Sequence, residues 1–586
     1  MKNIFRLNFI LLTLLTSSCN FLEPLNENQA SVQRVYTEPA FDEGLLLSAY
    51  TKLPPNNGWS FNDVATDDAV SNDLANNYLR MASGQWTPVF APTSQWMLNR
   101  PIIALNLFLT TIDSMKWSAD EIVNKLFKSR LRGEAYALRG MLRYYMLQDV
   151  AGKSTDGQLL GIQFIDDFME NNANFNIPRA TFETSVKAIQ TDFDSASVHL
   201  PLIYKNCTLD NQVPVEFTWA NKDQYNTVMG DFNRQRIQRR IVNCFRSRLT
   251  LLAASKAFNP NAATTNDPLW IAAVQAGALA LQNIVMSPLG NRYFEAAQIN
   301  SVPIVENDNN EMAWRSQNVS TSYALEQTIF PPSLNGEGQI NPTQNLVDAF
   351  PTADGYPITE PGHGFSPDNP YANRDPRFAR TILYQGQNFK GKIINITKGN
   401  DKKDSLNVAT RTGYYLRKLI REDITFPDNG TAPTPQKHYK VFVRFTEIFL
   451  NYAEAANEVG GPDYVVPNFN QSARDVIGAI RKRAGIKQPD TYLASISDQQ
   501  KMRELIRNER RLELCFEGFR FYDLRRWDLN LTEPAKGVNI TPNGNSYTFD
   551  YVNIDDRKYE PYMQFGPVPL QEILKYSELK QNAGWN

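Results

Sequence analysis

The chain is 586 residues long, 42% of them hydrophobic, with 60 Lys and Arg against 62 Asp and Glu. A formal charge of −2, with no basic run beyond the short stretch Arg234–Arg240, argues against a nucleic-acid partner, which needs a basic face; that stretch reads as a solvated helix face. Four cysteines and the scattered His199, His363 and His438 offer no disulfide framework, zinc spacing or histidine triad, so we expect no metal, no cofactor and buried or free thiols.

In chain order, Lys2 and Arg6 precede the apolar stretch Leu7–Leu15, and Thr16-Ser17-Ser18-Cys19 follows. A basic start, an apolar stretch too short to span a bilayer and small residues before a cysteine are the marks of a lipoprotein export signal over 1–18. Cys19 is the expected lipid-attachment residue, with 19–40 as tether, although Thr16 stands where a strict lipobox has Leu. Removal of the signal leaves 58 Lys and Arg against 62 Asp and Glu, a formal charge of −4. No later run of ~18 apolar residues suggests a second span.

The stretch from Trp59 to Asn106 is rich in aromatic planes and hydrogen-bonding side chains, a mixture that suits a ligand with an apolar face and a polar rim. It holds Trp59, Asp67, Asp68, Asn72, Arg80, Trp86, Trp96, Asn99 and Arg100. Each tryptophan has an alternative place as a core anchor, and Asp67 and Asp68 an alternative as helix caps.

Helical periodicity then takes over. Leu131, Ala135, Leu138, Leu142 and Tyr145 form one stripe, and Phe182, Val186, Ile189, Phe193, Ala196 and Leu200 another, with Thr181 as N-cap and Pro201 beyond the end. A third, Phe442, Phe445, Phe449, Tyr452, Ala456 and Val459, stops at Gly460-Gly461-Pro462. Further helices are predicted at about 241–257, 269–284, 471–484 and 499–516. Such helices suit antiparallel pairs in a tetratricopeptide-like array. Irregular stretches at 207–226 and 288–440 lie between them; binding chemistry often sits in such loops, and packed covering of the scaffold is the alternative. The acidic piece Glu306–Glu311 lacks the ligand spacing of a calcium loop.

The string Arg507-Asn-Glu-Arg-Arg-Leu-Glu-Leu-Cys-Phe-Glu-Gly-Phe-Arg-Phe-Tyr-Asp-Leu-Arg-Arg-Trp527 closely resembles the signature of the SusD/RagB family of outer-membrane nutrient-binding lipoproteins. In family order it is joined by Arg132-Gly-Glu-Ala-Tyr-Ala-Leu-Arg-Gly140, Arg374-Asp-Pro-Arg-Phe378, Gly413-Tyr-Tyr-Leu-Arg-Lys418, Arg481-Lys-Arg-Ala-Gly485, Gly566-Pro-Val-Pro569 and Asn582-Ala-Gly-Trp585. Glu509, Glu513 and Glu517 recur every fourth residue, with Arg510 and Arg520 placed to pair with Glu513 and Glu517, so the signature reads as an ion network. Glycoside hydrolysis instead needs two acids flanking a sugar.

The resemblance implies a mainly α domain over 41–586, with an N-terminal part at about 41–230 and a C-terminal part at about 240–586. Its expected architecture is about four tetratricopeptide-like helix pairs packed against an irregular, loop-rich ligand-binding half. It also implies a lid on a SusC-like TonB-dependent transporter that captures glycans at the outer membrane, through a site near Trp96 and Asn99 with Trp314 and Tyr323 as further platform residues. An oligopeptide-binding lid of the RagB kind, a glycan-acting surface enzyme and a purely structural lipoprotein are the alternatives.

Overall fold

A computed structural model describes residues 37–57, 59–165, 175–301, 311–316 and 320–585. The signal segment, Cys19 and residues 306–310 lie outside the described residues. The tether expected over 19–40 overlaps the first helix, α1, Pro39–Thr51, which opens with Pro at a position where its missing N–H is no loss.

Four helix pairs follow one another: α1 with α2 (Asn99–Thr111), α3 (Glu121–Val150) with α4 (Phe182–His199), α5 (Arg239–Ala254) with α6 (Pro268–Ala280), and α7 (Phe445–Gly460) with α8 (Ala473–Ala484). Each pair also touches the next, through α2 and α3, α4 and α5, and α6 and α7, so the array is continuous. Helix α9, Gln499–Leu514, packs on α7 and α8, and α10, Arg520–Arg526, follows it. The expected array is therefore present.

Close approach in the second pair depends on glycine. A Cβ at Gly133 would fall 2.6 Å from Leu200, and one at Gly140 2.6 Å from Phe193. Rising numbers in α3 meet falling numbers in α4, so the pair is antiparallel. Thr181 caps α4 as predicted, accepting from the Thr184 N–H. The helices predicted from 241, 269, 471 and 499 are α5, α6, α8 and α9, each displaced by only a few residues.

Phe442 corrects the sequence reading. It lies in strand β4 (Val441–Arg444), paired antiparallel with β2 (Met312–Arg315), and α7 starts only at Phe445. The three-residue step from Phe442 to Phe445 imitates helical spacing, but the β2 partner, remote in sequence, holds the backbone extended. Other two-stranded pairs are β1 (Ala69–Ser71) with β3 (Ile340–Pro342), and the hairpin of β5 (Ala535–Asn543) and β6 (Ser546–Asp555).

Two cores result. One runs through the helical array, around fully buried Leu138, Phe193, Phe245 and Ile477. The other fills the irregular half around Phe330, Phe350, Phe378 and Tyr415. Helix α9 joins them, giving Leu505 and Ile506 to the first and Leu512, with Cys515 and Phe516 beyond its end, to the second. Cys207, Cys244 and Cys515 are free and buried. The Arg234–Arg240 stretch is not a freely solvated face: Arg236 pairs with Glu134, Arg239 with Glu216, and Arg240 donates to carbonyls at the end of α6.

The end of the chain is sewn into its first half. Asn582 donates to the carbonyls of Val150 and Gly566 at 2.9 and 2.6 Å, and buried Arg179 donates to Asn582 Oδ1, Lys580 O and Val150 O. Among the described residues no helix is long and apolar enough to cross a membrane.

Candidate functional site

A cavity of about 670 Å³ lies between the helical array and the irregular half. Helix α3 gives it Tyr144, Tyr145 and Gln148 at its last turns, α5 gives Arg248 and Leu252, β4 gives Phe442 and Arg444, and Phe519 and Tyr522 come from the start of α10. Trp59 and Tyr78 add further rings, and the exposed Lys52, Ser60, Met97 and Arg100 mark the mouth. Such a mixture of aromatic planes and polar groups suits a ligand with both apolar and hydroxylated faces.

The floor is ionic but internally satisfied. Arg248 grips Glu447 with two bonds of 2.6 and 2.5 Å, and Arg444 holds Glu517 at 2.7 and 2.9 Å. Arg510 and Arg526 share Asp523, and Arg526 also grips Glu454 at 2.6 and 2.7 Å. Against the cost of burial, Arg526 holds the Glu454 carboxyl down to about 2. Every carboxylate lining the cavity thus already has a guanidinium partner. Burial raises Tyr144 and Tyr145, which stay neutral phenols able to donate or accept.

Few of the sequence candidates enter this cavity. Trp59 lines it. Asn99 opens α2 and is half-buried, but its neighbours Leu98 and Arg100 form the wall. Trp96, 4% exposed, turns into the helical core while Gln95 and Met97 face the cavity. Trp86 is buried against Phe521, Tyr559 and Trp585. Trp314 is buried on Phe442, with its indole N–H donated to the Gln235 carbonyl at 3.0 Å. These three indoles are core side chains, because the gaps between packed elements take up their large apolar rings. Tyr323 sits edge-on to Phe426 away from the cavity. Arg80 is held by Gln85 at 2.9 Å and lies over the Phe90 ring.

Asp67 and Asp68 are buried structural acids that neither reach solvent nor cap a helix. Asp67 takes Arg511 at 2.8 Å and Arg520 at 3.0 Å, and these guanidiniums outweigh burial and hold it well below the usual carboxylate range. Asp68 accepts from Arg511 at 2.7 Å.

Sequence reading missed Tyr144, Gln148, Phe519 and Tyr522, and counted Tyr145 only as core. Sequence offered little signal for them, since Tyr144 and Tyr145 both also pack in the helical core, on Phe245. Among the described residues no group of three or more His, Cys, Asp or Glu is placed to hold a metal.

Two buried acids hold the loops around the cavity. Asp149 accepts from the Gln95 N–H at 2.9 Å, and Asp63 from the Phe516 N–H at 2.9 Å. Burial, with the Asp68 charge beside it, pushes Asp63 up to about 7; burial pushes Asp149 up to about 6 despite Arg525. A carboxyl raised on folding binds more protons in the folded than in the unfolded chain. These two therefore cost stability progressively as pH rises from the ordinary 3.8 through about 6 and 7. The thermal midpoint is expected to be lower at about pH 8 than at about pH 5.5, and Asp63→Asn to flatten that slope. A parent slope unchanged in Asp63→Asn would mean that Asp63 ionises normally.

Comparison with known families meets the chain at both ends. A model of the SusD family matches residues 301–585, and one described as "Starch-binding associating with outer membrane" matches residues 20–214. The chain belongs to the SusD family. SusD-like protein P25 of Formosa agariphila is 31% identical over 195 residues, which cover 32% of this chain and 31% of that relative, so the match spans about a third of the relative's length. A SusD-like protein of Bacteroides fragilis superposes with a TM-score of 0.71 at 23% identity, covering 96% of this chain and all of that one. A SusD-like carbohydrate-binding protein of the same species gives 0.66 at 19% identity, covering 93% and 100%.

In this SusD-family chain the signature over 507–527 ties distant segments together. Glu509 pairs with Arg377 at 2.8 Å and Arg481 at 2.9 Å; Glu513 with Arg377 at 3.0 Å and Arg483 at 3.2 Å; Glu517 with Arg444 and Lys418, both at 2.7 Å. The local pairs expected for Arg510 and Arg520 are therefore replaced. Arg510 points to Asp523 and Asn451 and Arg520 to Asp67, because both turn away from the carboxylates' side. The partners come instead from the other matched motifs, around Arg377, Lys418, Arg481 and Arg483.

Proposed function

We propose that the chain is a cell-surface lipoprotein, anchored through Cys19, that captures oligo- or polysaccharide in the cavity at Trp59, Tyr145 and Tyr522 and delivers it to a SusC-like TonB-dependent transporter of the outer membrane. It acts by binding, with no bond made or broken. The observation that carries this reading is the cavity, which offers aromatic planes and neutral phenols above a floor whose acids are all engaged by arginine. A retaining or inverting glycosidase needs two available carboxyls about 5–10 Å apart across the sugar, and those acids are committed elsewhere. The outer-membrane wording of the matched family and the carbohydrate-binding description of the B. fragilis protein support the same reading. Several acyl chains on Cys19 would make the anchor permanent, whereas one chain holds only marginally.

Titration calorimetry of the chain against oligosaccharides and oligopeptides tests it. One glycan class is expected to bind, and Trp59→Ala to weaken it about tenfold or more, roughly 1.4 kcal/mol, through lost stacking. Binding confined to peptides would replace the reading with an oligopeptide lid.

A further inference from the structure

We infer that the saccharide taken by this cavity is anionic, carrying uronate carboxylates or sulfate esters; the inference rests on the glycan reading above. The residues that line the mouth from this part of the chain, between Lys52 and Asn62 and between Pro92 and Pro101, include no Asp or Glu, yet supply the exposed Lys52 and Arg100. Neither side chain has an ion pair or hydrogen bond among the described residues. Lys440, on the same wall, reaches only a backbone carbonyl, that of Asn56 at 2.7 Å. The carboxylates lining the cavity, Glu447, Glu517 and Asp523, are each saturated by arginine and neutralise none of these three cations.

The positive mouth is not a background property, because the whole chain carries a formal charge of −2. Cations held around a concave, partly desolvated entrance attract an anionic ligand and raise its local concentration, an effect that salt screens over a Debye length of about 10 Å at 0.1 M. A neutral sugar would need only the rings and phenols and would leave these cations without a role.

The experiment compares each anionic oligosaccharide with its own neutralised form: galacturonate oligomers against the carboxyl-reduced series, and sulfated galactan oligomers against the desulfated series. Each is titrated into the full chain at about 20 mM and about 300 mM salt. One anionic series is expected to bind at least about tenfold tighter than its neutral counterpart, to weaken with salt, and to lose most of that margin in the Lys52→Gln/Arg100→Gln double variant. Which series responds separates carboxylate from sulfate. The thermal midpoint of the double variant reports that it folds. Equal binding of neutral and anionic forms, indifferent to salt and to the variant, overturns the inference and leaves the glycan reading standing. Silence from every saccharide with binding of peptides, or silence throughout, overturns both.

Discussion

Arg377→Met is expected to destabilise the chain by about 3–5 kcal/mol, the usual result of removing one partner from a buried charge cluster. The Arg377 side chain is wholly buried and bonds Asp375 at 2.6 Å, Glu509 at 2.8 Å and Glu513 at 3.0 Å. Against the cost of burial, Arg483, Arg377 and Arg444 together hold Glu513 down to about 2. Without Arg377, Asp375 loses its guanidinium partner, Glu509 keeps Arg481 alone, and Glu513 keeps Arg483 at 3.2 Å and the more distant Arg444 at 3.9 Å. The defect falls where α9 joins the two cores, so the irregular half should loosen from the helical array. Thermal unfolding followed by near-ultraviolet circular dichroism checks it, with Lys580→Met, which removes only the exposed pair to Asp156, as a control expected to leave the midpoint in place. A parent-like midpoint in Arg377→Met would mean that the cluster adjusts by proton uptake and contributes little net stability.

Trp86→Ala is expected to cost about 3–5 kcal/mol, the range for emptying a large buried aromatic site. The ring is 1% exposed and meets Phe521, Tyr559 and Trp585 edge-on at 5.6, 6.1 and 4.9 Å. Its indole N–H has no acceptor among the described residues, so the loss is one of packing. Trp59→Ala should show the opposite signature, a modest change in the midpoint and a large change in ligand affinity. Urea unfolding and calorimetry on the same two variants separate the roles. Loss of binding without loss of stability in Trp86→Ala would return that residue to the site.

The helical half was legible because burial against neighbouring helices leaves a stripe at helical spacing: Leu131 to Tyr145 and Phe182 to Leu200 sit in α3 and α4 much as read. Helices α1 and α2 were not read out, since consecutive apolar residues, Leu45-Leu46-Leu47 in α1 and Ile102-Ile103-Ala104-Leu105 in α2, leave no single stripe at helical spacing. Strand β4 was hidden because its partner β2 lies far away in sequence. The cavity was legible only at Trp59 and Arg100. Tryptophan serves cores and sugar sites alike, and composition does not separate Trp59 from Trp86, Trp96 or Trp314; only the three-dimensional packing does. The signature glutamates were legible as ion-pairing groups, but their partners, Arg377, Lys418, Arg444, Arg481 and Arg483, are set by the fold and not by helical spacing.

The stitching of Asn582 to Val150 spans 432 residues of chain. Until residue 582 has been made, the buried Arg179 guanidinium lacks two of its acceptors, and the carbonyl at the end of α3 lacks the Asn582 amide. The helices on either side of Val150 and Arg179 can form early, but the bonds that tie these two residues to 580–582 form only once those residues are present. A variant without residues 580–582 therefore carries its defect far away in sequence, at the junction of α3 and α4, where unsatisfied buried polar groups leave it open to proteolysis.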